Sequence, residues 1–75
     1  MKKVMISLTT IADIRDLVNI ANRTDVDIDL ISGRYVVDAK SIMGIFSLDL
    51  MNPIKLTAHG EDPTLFEKLK PFIVE

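Results

Sequence analysis

The spacing of apolar residues along this chain switches several times between the period of a β-strand and that of an α-helix, and this switching narrows the possible folds more than any other feature. In residues 4–8 every second residue is a large aliphatic one, which predicts a strand with one buried face. In residues 11–21 the apolar side chains recur at helical spacing. Thr10 and Asp13 have the T-x-x-D form of a capping box, which predicts that this helix begins directly after Thr10.

The middle of the chain predicts a hairpin followed by a short helix. Residues 26–30 alternate between aliphatic side chains and aspartates, as in a strand whose second face is solvated. Ser32 and Gly33 are expected to turn the chain into another strand over residues 34–38. Residues 41–50 then form a compact apolar run that predicts a short helix with a serine at its N-terminal cap.

The last third of the chain predicts one more strand and one more helix. Residues 54–58 alternate as a strand. The last helix is expected to have Asp62 as its cap and Pro63 as its first residue, and Pro71 is expected to kink or shorten its end. The predicted order is therefore β-α-β-β-α-β-α. This order is typical of an α+β open-faced β-sandwich, in which an antiparallel four-stranded sheet is covered by three helices on one face.

Size and composition exclude several classes of function. A chain of 75 residues has room for one small domain, so residues 1–75 are expected to form a single unit. The absence of cysteine excludes disulfides and thiolate metal sites, and we expect a cytoplasmic location. A net charge of −2 lacks the basic excess that nucleic-acid binding requires. No apolar stretch approaches the roughly 20 residues that cross a bilayer, so membrane insertion is not expected.

Residues with the potential for chemistry are few. His59 is the single histidine, so neither a zinc site nor a nucleophilic triad has its usual residues, and we interpret His59 as a turn residue. Asp25, Asp27 and Asp29 alternate, which suggests either a calcium site or a solvated sheet face; the glycine and closing glutamate of a calcium loop are missing, which favours the solvated face. We therefore predict no metal, no cofactor and no catalysis.

One segment is more specific than the rest. Residues 40–44 read K-S-I-M-G and are followed by Ser47 and Leu48, and the predicted hairpin D-I-D-L lies just upstream at residues 27–30. This segment resembles the regulatory-serine segment of the HPr family, the small phosphocarrier proteins of the bacterial sugar phosphotransferase system. The resemblance runs without gaps over residues 18–48, weakens after Leu48, and implies the same β-α-β-β-α-β-α fold.

The resemblance also reveals a departure from the family at the start of the first helix. There the family carries a histidine, within G-I-H-A-R-P-A, that receives a phosphoryl group from Enzyme I. Counting back from Ser41 without gaps places Thr10 at that position, with Ala12 and Asp13 replacing the family's arginine and proline. No histidine precedes His59, and a phosphothreonine would be a stable ester. We therefore predict an HPr-like protein that lacks the active-site histidine and is not a phosphocarrier.

The resemblance implies that Ser41 is a candidate for ATP-dependent phosphorylation by an HPr kinase; the alternative is that it serves only as a helix cap. It also implies a protein-binding patch beside that serine. Its residues would be Ile42, Met43 and Phe46, bordered by Lys40 and Arg15. Because a short amphipathic helix must bury one face, we expect some of the three apolar residues in the core and some on the surface.

The leading hypothesis is a regulatory or adaptor protein that binds a protein partner through the Ser41 helix, as histidine-less HPr paralogues do in carbon-catabolite regulation. The candidate partners are HPr kinase, Enzyme I and a transcriptional regulator. One alternative is a phosphotransferase-system carrier with an unexpected acceptor such as His59. Another is a structural or oligomerising module in which the K-S-I-M-G segment serves only packing.

Overall fold

Four strands and three helices follow one another along residues 2–74, the part of the chain that the computed structural model describes. The strands are β1 (Lys2–Ile6), β2 (Asp27–Ser32), β3 (Tyr35–Asp38) and β4 (Ile54–His59). The helices are α1 (Ile11–Arg23), α2 (Ile42–Phe46) and α3 (Leu65–Leu69), and a 3-10 turn (Lys70–Phe72) follows α3. The predicted β-α-β-β-α-β-α order and α+β class are confirmed.

All four strands form one antiparallel sheet in the order β1-β4-β2-β3. The central strand β4 sets the register, since Leu56 lies opposite Val4 of β1 and opposite Leu30 of β2. Because side chains alternate along a strand, Leu56 and Ala58 face the helices, whereas Lys55 and His59 lie on the other, open face.

The core lies between the sheet and the helices. Its largest fully buried side chains come from strands and helices: Ile6, Leu17, Ile28, Leu30, Ile45, Ile54, Leu56, Leu65 and Leu69. A tertiary hydrogen bond joins the end of α1 to the loop after β4, because the hydroxyl of Thr24 donates to Asp62 at 2.8 Å. The same hydroxyl accepts the N–H of Val26 at 3.2 Å, so it also fixes the start of β2.

The hairpin turn lies one residue later than the sequence predicted. Ser32 pairs with Tyr35, so the two turn residues are Gly33 and Arg34 rather than Ser32 and Gly33. Gly33 has a φ of 60°, a value that glycine adopts without a steric penalty and that the first central position of a two-residue hairpin turn requires.

The last helix begins later and ends earlier than predicted. Pro63 lies in a turn that the backbone bond from Leu65 N to Asp62 O closes at 3.1 Å, and α3 itself starts at Leu65. The N-cap residue of α3 is therefore Thr64 and not Asp62, whose carboxylate accepts the N–H of Thr64 at 3.0 Å in the turn before the helix. Pro71 lies in the 3-10 turn after Leu69, consistent with its expected effect of shortening the helix.

The segment after the 3-10 turn returns to the outer edge of β1. Ser7 N donates to Phe72 O at 2.8 Å, and Val74 N donates to Met5 O at 2.9 Å. β1 itself is displaced from its expected position, since it spans Lys2–Ile6 and the buried Leu8 follows it outside the strand. Among the helices of residues 2–74, none has the length and apolar character needed to cross a membrane.

Candidate functional site

Ser41 occupies the N-terminal cap of α2, and its side chain is exposed. Its Oγ accepts the N–H of Gly44 at 3.1 Å, which satisfies one of the amides that a helix start leaves without a backbone partner. The backbone of Ser41 is fixed on both sides, since its N donates to Asp38 O at 2.9 Å and its carbonyl accepts from Ile45 N at 3.0 Å. The hydroxyl is therefore presented to solvent from a rigid position.

The glycine of the K-S-I-M-G segment has a packing role at this site. A Cβ added at Gly44 would lie 3.0 Å from Ser41 Oγ and 3.2 Å from Val37 Cβ. Both distances are shorter than ordinary van der Waals contact between carbon and its neighbours. Gly44 therefore lets α2 lie close to β3 while the serine cap keeps its geometry.

The charged residues next to Ser41 are of both signs. Lys40 is exposed directly before the cap. Asp38 lies two residues further back, and its Oδ1 accepts the backbone N–H of Lys40 at 2.8 Å. A negative group added at Ser41 would thus meet the amides at the start of α2, one lysine and one aspartate that already accepts a hydrogen bond.

The apolar residues beside Ser41 divide between surface and core. Met43 is 76% exposed and Phe46 is 45% exposed, whereas Ile42 is partly buried and packs against the core. Ile45 is fully buried and anchors the helix. Met43 and Phe46 therefore form most of the exposed apolar surface of α2. Ile42 lies at the edge of this surface, where it lines a shallow groove with Arg15 of α1.

Two further residues belong to this apolar surface and were not singled out from the sequence. Ile11 is one of the apolar residues that recur at helical spacing in residues 11–21, yet it is exposed, and Met51 after α2 is exposed as well. Together with Phe46 and Leu50 they line a groove of about 430 Å³ between the start of α1 and the loop after α2. Ile11 satisfies the helical spacing, but it is the first residue of α1, where the helix faces this groove instead of the core. We call Ile11, Met43, Phe46 and Met51 the apolar surface.

The start of α1, where Thr10 lies, is closed by side chains of the chain itself. Thr10 Oγ1 accepts the N–H of Asp13 at 3.0 Å. In return, Asp13 Oδ2 accepts the N–H of Thr9 at 3.0 Å and that of Thr10 at 3.2 Å, as well as the hydroxyl of Thr9 at 2.9 Å. These hydrogen bonds, the backbone one from Thr9 foremost, lower the pKa of Asp13 below its ordinary value. The predicted capping box is confirmed, and the amides of Thr9, Thr10 and Asp13 at this helix start already have side-chain partners.

His59 is the last residue of β4 rather than a turn residue, and it lies on the open face of the sheet. Its Nε2 is 2.8 Å from Asp29 Oδ2, so the aspartate face of β2 is partly paired. The structure does not bring His59 to the helix-covered face that carries Ser41 and Thr10. Within residues 2–74, no three histidine, cysteine, aspartate or glutamate side chains gather in a way that would hold a metal ion.

Comparisons with known proteins agree on one family. The family model described as "PTS HPr component phosphorylation site" matches residues 13–74. Among solved structures, the chain is similar to HPr-C-His from Thermoanaerobacter tengcongensis, at 29% identity and a TM-score of 0.79 over 95% of this chain and 89% of that one. It is also similar to a phosphocarrier protein HPr from Bacillus anthracis str. Ames, at 32% identity and a TM-score of 0.66 over 93% of this chain and 87% of that one. No curated protein sequence matches the chain.

Proposed function

This chain belongs to the HPr family of the phosphotransferase system, and from that premise we propose that it is a cytoplasmic regulatory or adaptor protein that acts through Ser41 and the apolar surface beside it, without a phosphocarrier histidine. The proposal depends chiefly on one contrast. Ser41 is exposed in an intact K-S-I-M-G segment, whereas the start of α1 carries a capping threonine and no histidine.

The chemistry at the start of α1 supports the loss of the carrier function. A carrier needs a group whose phosphorylated form is labile, and the hydroxyl of Thr10 would give a stable ester. The carboxylate of Asp13 lies 3.2 Å from Thr10 N and carries a negative charge at neutral pH. A dianionic phosphoryl group on Thr10 would therefore be repelled by this carboxylate, which also holds the amides of Thr9 and Thr10.

The geometry at Ser41 supports modification of this residue by a kinase. Transfer of the γ-phosphoryl group of ATP would form a bond to Ser41 Oγ, release ADP and give up the hydroxyl proton. The product would lie at the start of α2 and next to Lys40, which are favourable surroundings for an added dianion. We propose that this charge changes the affinity of the adjoining apolar surface for a protein partner.

The apolar surface supports the binding role. Met43 and Phe46, three residues apart on α2, are both exposed, and Ile11 and Met51 extend the surface across the groove. Exposed apolar residues that cluster in this way are typical of protein-binding sites. Members of the HPr family interact with proteins such as Enzyme I and kinases, and we propose that the partner here is an HPr kinase, Enzyme I or a transcriptional regulator.

The experiment that tests the proposal is the intact mass of the protein after two incubations, one with HPr kinase and ATP and one with Enzyme I and phosphoenolpyruvate. We expect one added phosphoryl group with the kinase and none with Enzyme I. Addition by Enzyme I would contradict the proposal and would make the protein a carrier, with His59→Ala as the variant that identifies the acceptor.

Matched variants separate modification from folding. Ser41→Asn removes the hydroxyl but keeps an oxygen that can cap α2, because asparagine is among the best N-cap residues. Ser47→Ala removes the other exposed hydroxyl of the segment. We expect Ser41→Asn to abolish phosphorylation and Ser47→Ala to leave it intact. If the kinase does not modify the unaltered protein, the result would contradict the proposal. It would favour the alternative in which the K-S-I-M-G segment serves only packing.

A further inference from the structure

The two outer edges of the sheet differ in how far they are covered. The edge of β1 is partly occupied by the end of the chain, since Val74 N donates to Met5 O at 2.9 Å. The edge of β3 has no backbone strand beside it among residues 2–74. An uncovered edge strand presents unpaired N–H and C=O groups to any strand that can reach it.

The hydrogen bonds between β2 and β3 show which backbone groups of β3 remain unpaired. Ala39 N donates to Ile28 O at 2.9 Å, so the odd-numbered residues of β3, including Val37, bond to β2. Because backbone groups alternate in direction along an antiparallel strand, the N–H and C=O of Val36 point away from the sheet, as does the N–H of Asp38.

Most side chains of β3 do not protect this edge. Tyr35 and Val36 are 65% and 60% exposed. Natural edge strands are commonly guarded by charged side chains, above all lysine, by a proline or by a bulge, and of these β3 has only the charge of Asp38 at its end. The strand Y-V-V-D instead consists largely of residues that favour pairing.

The charges along this edge form no ion pair within residues 2–74, although Asp38 Oδ1 accepts the backbone N–H of Lys40 at 2.8 Å. Asp38 lies opposite Asp29 in the register, which places two like charges side by side on the open face. Asp29 is paired with His59, but within residues 2–74 neither Asp38 nor Arg34 forms an ion pair. An arginine arriving from outside would relieve the repulsion at Asp38.

We propose that β3 pairs antiparallel with β3 of a second copy of this chain, about a two-fold axis at Val36, to give a dimer with a continuous eight-stranded sheet. In this register Val36 lies opposite Val36, where both outward-facing groups exchange hydrogen bonds. The same register brings Arg34 of each copy opposite Asp38 of the other. A shift by two residues in either direction puts Val36 opposite one of the charged residues and loses both ion pairs.

The proposal goes beyond the regulatory role of Ser41 and does not depend on it. A single short pair of strands buries little surface, so the dimer is weak and is populated only at high protein concentration. The symmetry is closed, because both copies use the same edge, that of β3, so pairing through this edge stops at two chains.

A charge-exchange experiment tests the register. The dissociation constant of the dimer is measured by sedimentation equilibrium between about 10 µM and 1 mM, for the unaltered protein, Arg34→Glu, Asp38→Lys and an equimolar mixture of the two variants. Each variant alone places like charges opposite each other, so we expect its dissociation constant to rise at least about tenfold. In the mixture both pairs are again of opposite sign, so heterodimers should form with about the original affinity.

The controls make the result unambiguous. Lys3→Glu makes the same change of charge as Arg34→Glu but lies in β1, so it should leave the dissociation constant unchanged. Recovery in the mixture also excludes misfolding as the cause of the loss. A protein that stays monomeric to about 1 mM, or a dimer that is indifferent to both charge reversals, would overturn the proposal.

A second measurement uses the absence of cysteine from the chain. Across the proposed two-fold axis the Cα atoms of the paired Val36 residues lie about 5.5 Å apart, within the range of a disulfide. Val36→Cys should therefore form covalent dimers with oxidised glutathione. Tyr35→Cys is similarly exposed but lies opposite Val37 of the second copy, so its own partner is more than about 7 Å away. Equal cross-linking of the two variants would contradict the register.

Discussion

Two buried threonines in this protein differ in what their hydroxyl groups do. The hydroxyl of Thr24 donates to Asp62 and accepts from the N–H of Val26. The hydroxyl of Thr57, in the central strand β4, has no hydrogen-bond partner among residues 2–74. Since a buried polar group without a partner is destabilising, the same substitution should have opposite consequences at these two positions.

We predict that Thr57→Val leaves the free energy of unfolding unchanged or raises it by up to about 1 kcal/mol, because valine removes the unpartnered hydroxyl and suits a strand. Thr24→Val should lower it by about 1–3 kcal/mol, because the N–H of Val26 loses its acceptor. Urea denaturation of the two variants and of the unaltered protein measures both effects. Equal losses at the two sites would show that the hydroxyl of Thr57 has a partner in solution.

At the scale of elements, α1 is the helix whose start is fixed by side chains on both sides of the cap. Thr10 and Asp13 exchange hydrogen bonds across it, and Thr9 adds two more to the carboxylate. These bonds lower the pKa of Asp13 in the folded protein. The contribution of Asp13 to stability is therefore fully present above its ordinary pKa of 3.8 and is lost as the pH falls through the lower folded value.

We predict that Asp13→Asn lowers the melting temperature at neutral pH and reduces the further loss of stability on acidification from about pH 5 to pH 2. Thermal unfolding followed by circular dichroism over this range measures the effect. Asp16→Asn is the control, because Asp16 lies in the same helix and its carboxylate accepts no hydrogen bond within residues 2–74. An acid response of Asp13→Asn identical to that of the unaltered protein would contradict the prediction.

At the scale of the whole molecule, two phenylalanines have different roles because one lies in the core and the other on the apolar surface. Phe72 is 6% exposed and belongs to the core, and its carbonyl accepts the N–H of Ser7. Phe46 is 45% exposed and belongs to the apolar surface. One phenylalanine therefore contributes to folding, and the other is available to a partner.

We predict that Phe72→Ala destabilises the protein by about 3–5 kcal/mol, which is a large part of the stability of so small a domain. Phe46→Ala should cost much less stability but should weaken binding to the partner, because exposed aromatic residues commonly carry binding energy. Urea denaturation and calorimetric titration with the HPr kinase separate the two effects. Unchanged binding by Phe46→Ala would remove this residue from the binding surface.

The sequence predicted the features that depend on near neighbours. The order of the elements, the capping box of Thr10 and Asp13 and the cap at Ser41 all follow from residues within four positions of one another. The family membership was likewise visible in the K-S-I-M-G segment, and the match over residues 13–74 confirms it. The exact ends of elements were less well predicted, as at Gly33 and Pro63, where a turn and a helix start compete within one or two residues.

By itself, then, the sequence determined which segments are helices and strands, which face of each is apolar, and that the start of α1 has no histidine, because periodicity, capping and residue identity are local properties. Only the tertiary structure decided that Met43, Phe46 and Ile11 are exposed, and that residues 72–74 partly cover the edge of β1 whereas no strand within residues 2–74 covers that of β3. The hydrogen bond between Thr24 and Asp62 joins residues that are 38 positions apart. Contacts of this kind depend on how distant elements pack against one another, and no local pattern of residues encodes them.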